Sequence, residues 1–190
     1  LRRKGRDLRF VYEAGPCGFE IYRFLREQGL SCVVVSPSQI PRRAGDRVKT
    51  DRRDSESLAR LYRAGELAAV YVPEPEDESI RDLARAREDV RRSRQKTRQQ
   101  VQALLLRRGK RFTGKCAWTL AHRRWLSDLT LEHPAQRIAL EEYLAAIDEA
   151  TARLGRIEAA LVDQVAGWRF APVVDALQAL RGVDQIAAIQ

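Results

Sequence analysis

Methionine is missing from all 190 residues, and cysteine and histidine are scarce, at three and two. Without a methionine the chain does not start at its own initiator, so the sequence predicts an internal piece of a longer protein. Cys17, Cys32 and Cys116 are odd in number and far apart. That excludes a closed disulfide framework or a zinc site, fits a reducing cytoplasm, and leaves the cysteines as packing residues. No apolar run approaches the roughly eighteen residues of a membrane-spanning helix, and no secretory signal opens the chain. A Gly-rich phosphate loop, a nucleophile elbow and a metal-ligand histidine pair are also absent, which argues against a small-molecule α/β enzyme.

What the chain has in quantity is positive charge, and that charge is segregated. The formal net charge is +9, yet residues 85–124 hold fourteen Lys/Arg against Glu88 and Asp89, a local +12 that leaves the remainder at +9 less +12, or −3. Clustered Lys and Arg release condensed counterions from phosphate chains, so one segment is expected to face a polyanion. Its contact residues would be Arg91, Arg92, Arg94, Lys96, Arg98, Arg107, Arg108, Lys110, Arg111, Arg123 and Arg124. A solvated helix face is the plainer reading of the same run.

Three β-type runs, LRFVYEA at 8–14, SCVVVS at 31–36 and LAAVYV at 67–72, alternate with two amphipathic stretches ending at Gly29 and Gly65. This order predicts an α/β domain, with CVVV, apolar on both faces, as its central strand. Beyond Pro73 and Pro75, the positions of Ile80, Leu83, Ala84, Val90, Val101, Leu104 and Leu105 allow one long helix or two shorter ones. The middle of that stretch, RRSRQKTRQQ, is polar all round and is expected to bridge solvent or a ligand.

CAWTLAHRRWLSDL predicts a further helix with Trp118, His122 and Trp125 near one face. Two readings stay open there: the tryptophans anchor a small core with the histidine partly exposed, or the rings stack on nucleic-acid bases. Leu140, Leu144, Ile147, Leu154, Leu161, Val165 and Trp168 then form a four-three ladder with polar rungs at Thr151 and Glu158. The ladder predicts a helical hairpin or a coiled coil, paired within the chain or between chains. Pairing between chains would make the protein a homo-oligomer.

Glu13 closes the first β-type run just before an Ala-Gly-Pro turn, at the strand rim where α/β sheets bind ligands. Asp51 and Asp54 follow the central run by way of a Pro-Ser-Gln-Ile-Pro loop. They fit the start of a helix, as a cap and as charges favouring the helix dipole. Equally, they fit a cleft shared with Glu13, where carboxylates hold Mg2+ and paired ions clamp the oxygens of in-line phosphoryl transfer. Lys49, Arg52 and Arg53 would then offset phosphate charge.

The stretches YEAGPCGFEIYR, KTDRRDSESLARLYRAGELAAVYVP and LLLRRGKRFTGKCAWTLAHRRWL, spanning roughly residues 8–126, resemble the DEDD transposases of bacterial insertion sequences. The resemblance implies a RuvC-like (RNase H-like) fold, Mg2+ as cofactor, and Glu13, Asp51 and Asp54 as the second, third and fourth acids of an Asp-Glu-Asp-Asp tetrad. Nothing matches the first acid, and Asp7, six residues before Glu13, is not given its role. Further implied are DNA and a structured bridge RNA as partners, a nucleoid-associated cytoplasmic location, and a serine nucleophile in a later domain reached through a coiled coil.

No serine here matches that serine motif, so the fragment alone is expected to be inactive. The expected organisation is a partial RuvC-like catalytic domain at 1–76, a basic helical nucleic-acid-binding region at 77–135, a coiled-coil connector at 136–172 and the opening of a further domain at 173–190. The fold class is thus α/β, a partial RuvC-like sheet followed by long helices and a coiled-coil region. The competing reading is a non-catalytic nucleic-acid-binding module whose acids only shape turns and helix ends.

Overall fold

A computed structural model describes residues 8–41 and 50–190, which form two compact units divided between Glu74 and Pro75. In the first unit, β1 (Arg9–Glu13) and β2 (Ser31–Val35) pair in parallel, in register from Arg9 opposite Ser31 to Glu13 opposite Val35. Parallel neighbours need a crossover, and α1 (Glu20–Glu27) supplies it, burying Leu25. The crossover reverses at Gly29, whose φ of 68° suits only a residue without a Cβ. There Leu30 N–H donates to Leu25 O at 2.9 Å and closes the helix end.

β2 buries Cys32, Val34 and Val35, as its apolar sequence predicts. Its second neighbour corrects the expected third strand: residues 67–72 form none. That segment makes a single antiparallel bridge, Ala69 to Val35, with Val70 N–H donating to Val34 O at 2.9 Å. Ala68 and Ala69 offer no branched side chain to a pleated surface, and Pro73 cannot extend a ladder. α2 (Asp51–Ala64) completes the unit, packing near β1 and burying Leu58.

The second unit is a helical hairpin. α3 (Pro75–Arg107) is one unbroken helix of 33 residues, about 50 Å at 1.5 Å per residue, and it packs against α5 (Pro134–Ala166). Between them lies α4 (Leu120–Asp128), and after them α6 (Ala171–Gln178) and α7 (Gln185–Ile189). One apolar cluster joins Val101, Leu104 and Leu105 to Leu126, Leu140 and Ile147. A second, at the other end, joins Ile80 to Leu161, Val165 and Val174.

Polar contacts join the two clusters. Arg94 reaches Thr151, and seven residues earlier Arg87 reaches Glu158, seven residues later. Each heptad step down α3 is therefore a heptad step up α5, the mark of an antiparallel pair. The polar rungs at Thr151 and Glu158, which interrupt the ladder in sequence, sit opposite the polar middle of α3. That middle is accordingly not wholly given to solvent or ligand. Below it, Asp77 is buried and accepts hydrogen bonds from Trp168 Nε1 at 2.8 Å and from the Arg169 guanidinium.

Two expectations bear on this hairpin. The ladder residues Leu140, Ile147, Leu154, Leu161 and Val165 are buried inside the chain, so the stripe that suggested a homo-oligomer through a coiled coil is occupied by α3. The segments 77–135, 136–172 and 173–190 also belong to one unit beginning at Pro75, because α3 and α5 share their cores with α4 and α6.

Candidate functional site

The carboxylate edge lies in the first unit. Glu13 is the last residue of β1, opposite the last residue of β2, and is exposed. Asp51 and Asp54 occupy the first turn of α2, three residues apart and so on neighbouring positions of one face. Neither is the cap. Thr50 holds that place in extended conformation, its hydroxyl accepting from Arg53 N–H at 3.3 Å. A threonine directly before the first helical residue is a cap signal in its own right, and the sequence reading passed over it.

With Thr50 doing the capping, the side chains of Glu13, Asp51 and Asp54 have no hydrogen-bond or ion-pair partner among the described residues. Carboxylates left unpaired, Glu13 and Asp51 exposed and Asp54 half-buried, are the donor chemistry a hard divalent ion takes. Their placement is another matter: among the described residues no three His, Cys, Asp or Glu side chains are grouped to hold one ion. Arg52 turns away to pair with Glu56 at 3.1 Å, Arg53 is exposed, and Lys49 lies outside the described residues.

The cationic segment separates into engaged and open side chains. Arg91 and Arg92 both hydrogen-bond Glu88, with Nε to oxygen distances of 2.6 and 2.8 Å, and these contacts pull the Glu88 carboxyl down to about 2. Arg94 leans on Thr151, and Arg123 pairs with Asp148. Arg98 lies over the Trp118 ring, 5.0 Å from its centroid, with a buried Nε that has no hydrogen-bond partner. Burial, with Arg94 and Arg123 nearby, lowers its pKa from the ordinary arginine value. Lys96, Arg107, Arg108, Lys110, Arg111 and Arg124 have no ion-pair partner among the described residues. With exposed Lys115, they are open cations of the segment.

The ring cluster also departs from expectation. His122 is buried rather than partly exposed, at 4% of its surface. Phe112, which the sequence reading did not single out, stands edge-on to it at 4.8 Å, while Trp125 stacks at 5.6 Å and Trp118 meets it edge-on at 5.2 Å. Trp118 adopts φ 67°, a left-handed conformation costing about 1–2 kcal/mol for a residue with a Cβ. In that conformation its backbone N–H donates to His122 Nδ1 at 3.0 Å. Burial, and then Arg123, lower the His122 pKa and keep the ring neutral near pH 7. Among the described residues, no helix is long and apolar enough to cross a membrane.

Relatives give these features a context. The family model of IS110-type DEDD transposases matches residues 2–108, covering both the carboxylate edge and α3. The "Putative transposase y4qE" of Sinorhizobium fredii is 48% identical over 180 residues, which are 95% of this chain and 43% of that protein. The transposase for insertion sequence element IS1533 of Leptospira borgpetersenii is 29% identical over the whole chain, 55% of its own length. The chain thus spans about half the length of the curated relatives it matches. With more than half of its residues under the family model and such relatives alongside, the chain belongs to the DEDD transposase family of insertion sequences.

Proposed function

We propose that this chain is part of an enzyme that exchanges DNA strands in a magnesium-dependent reaction, with a structured guide RNA bound by the open cations of the second unit. In this reading Glu13, Asp51 and Asp54 serve as metal ligands together with at least one further carboxylate, the tetrad acid that has no counterpart among these 190 residues. The observation that carries it is the unengaged state of three acids that lie within the stretch the family model matches, where Thr50 has made a capping aspartate unnecessary. DNA is the substrate that transposition requires, and Lys96, Arg107, Arg108, Lys110, Arg111 and Arg124 suit phosphate contacts.

The test is strand exchange by a complete transposase carrying Asp51→Asn or Asp54→Asn. Exchange should fall by several orders of magnitude while RNA and DNA binding stay near the unsubstituted level. The absence of a three-ligand cluster among the described residues favours a second reading, a nucleic-acid-binding module without catalysis. Under it, both substitutions leave exchange intact.

A further inference from the structure

Beside the ring cluster is a pocket of about 580 Å³, lined by Leu105, Leu106, Lys110, Arg111, Phe112, His122 and Trp125 among others. Its volume falls within the roughly 300–1,000 Å³ typical of small-ligand sites. Past the end of α3, Gly109 takes φ 63°, and the reversal there brings Lys110 back onto the helix end, its N–H donating to Leu105 O at 3.0 Å. Lys110 and Arg111 thus stand on a wall of the same cavity whose other walls are aromatic and aliphatic.

Alongside Gln102 and the two cations, the polar group at the aromatic wall is His122. Its Nδ1 accepts from Trp118 N–H, so the neutral ring carries its proton on Nε2. That Nε2–H has no hydrogen-bond partner among the described residues, on a side chain 96% buried that lines the cavity. The strained Trp118 backbone is what fixes this tautomer. Aromatic faces, one fixed donor and two cations in a single cavity are the requirements of a base and its phosphate, and of little else that is both planar and anionic.

We propose that this pocket receives one unpaired nucleotide, its base stacked against Phe112 and Trp125, a base acceptor on His122 Nε2–H and its phosphate on Lys110 and Arg111. A base within a duplex is excluded, because its faces are already stacked. The nucleotide's source is an RNA loop or a single DNA strand, which share this chemistry. This inference rests on the nucleic-acid reading above and sharpens it to one site.

The experiment uses a short single strand with one 2-aminopurine, in RNA and DNA versions, alongside an otherwise identical strand abasic at that position and a duplex. With the unaltered protein, 2-aminopurine fluorescence should be quenched on binding, and the base-containing strand should bind about tenfold tighter than the abasic one. Phe112→Leu, checked for folding by circular dichroism, should remove most of that tenfold advantage and leave abasic binding unchanged. Lys110→Gln with Arg111→Gln should weaken both strands and flatten the salt dependence.

Should Phe112→Leu not fold, 5-iodouridine crosslinking in the unaltered protein decides: crosslinks at Phe112 or Trp125 support the pocket, and crosslinks only elsewhere overturn it. Equal affinity for base-containing and abasic strands, with salt-dependent binding of both, overturns the pocket and leaves the nucleic-acid reading standing. No binding of any strand overturns both. Tight binding by RNA but not DNA, or the reverse, supports the pocket and identifies the source.

Discussion

Arg87 Nε donates to Glu158 Oε1 at 2.7 Å, joining helices through residues 71 apart in the chain. The arginine side chain keeps 16% of its exposure and the glutamate 36%, so the pair sits at the wet edge of the hairpin. It contributes orientation more than net stability, since desolvating both charges offsets much of their attraction. The heptad register that sets Arg94 against Thr151 depends on the same alignment.

Removing one partner should cost more than removing both. Glu158→Ala strands Arg87 and is expected to destabilise the second unit by about 1–2 kcal/mol in denaturant titration. Arg87→Leu with Glu158→Leu should return to within about 1 kcal/mol of the unsubstituted protein, because leucines extend the apolar ladder.

The helix start at Thr50 separates capping from charge. Thr50→Ala should cost about 1 kcal/mol and speed hydrogen exchange at the Arg53 amide, in low and high salt alike. Asp51→Asn should cost about 0.3–1 kcal/mol through the helix dipole alone. Molar salt should erase the second effect and not the first, as read by amide exchange across α2.

His122 gives the second unit a pH dependence of known sign. Its pKa is lowered on folding, chiefly by burial and then by Arg123, so the unfolded chain takes up its proton first as pH falls. The stability tied to the neutral ring is fully present above the ordinary histidine value near 6.5 and is lost as pH drops toward the lower folded value. The loss is at most about 1.4 kcal/mol per pH unit for one group. Thermal midpoints between pH 7.5 and 5.5 should therefore decline, and His122→Gln should flatten that decline.

Local signals in the sequence reached a long way. The first two strands and the glycine stops at Gly29 and Gly65 follow from periodicity and turn chemistry acting over a few residues, whereas the same signals left one long basic helix or two shorter ones open, and the structure has one. What depends on partners far along the chain was not legible. Thr151 and Glu158 read as polar breaks in a ladder until Arg94 and Arg87 stand opposite them, and nothing local marks Asp77, buried by Trp168 91 residues on, which donates to it. The burial of His122 depends on an irregular connection that folds Phe112 back onto α4, which has no period to read. In the carboxylate site, residue types and spacing were legible, whereas no three such side chains are grouped among the described residues.

Whether Glu13, Asp51 and Asp54 bind the catalytic ion is read most directly from Mn2+ occupancy, by paramagnetic resonance, in a complete transposase bound to DNA. Mn2+ stands in for Mg2+ on oxygen ligands. Glu13→Gln, Asp51→Asn and Asp54→Asn should each lose bound Mn2+, while Glu56→Gln, on the same helix but paired with Arg52, should retain it. Unchanged Mn2+ occupancy in the three variants would rule these acids out as ligands.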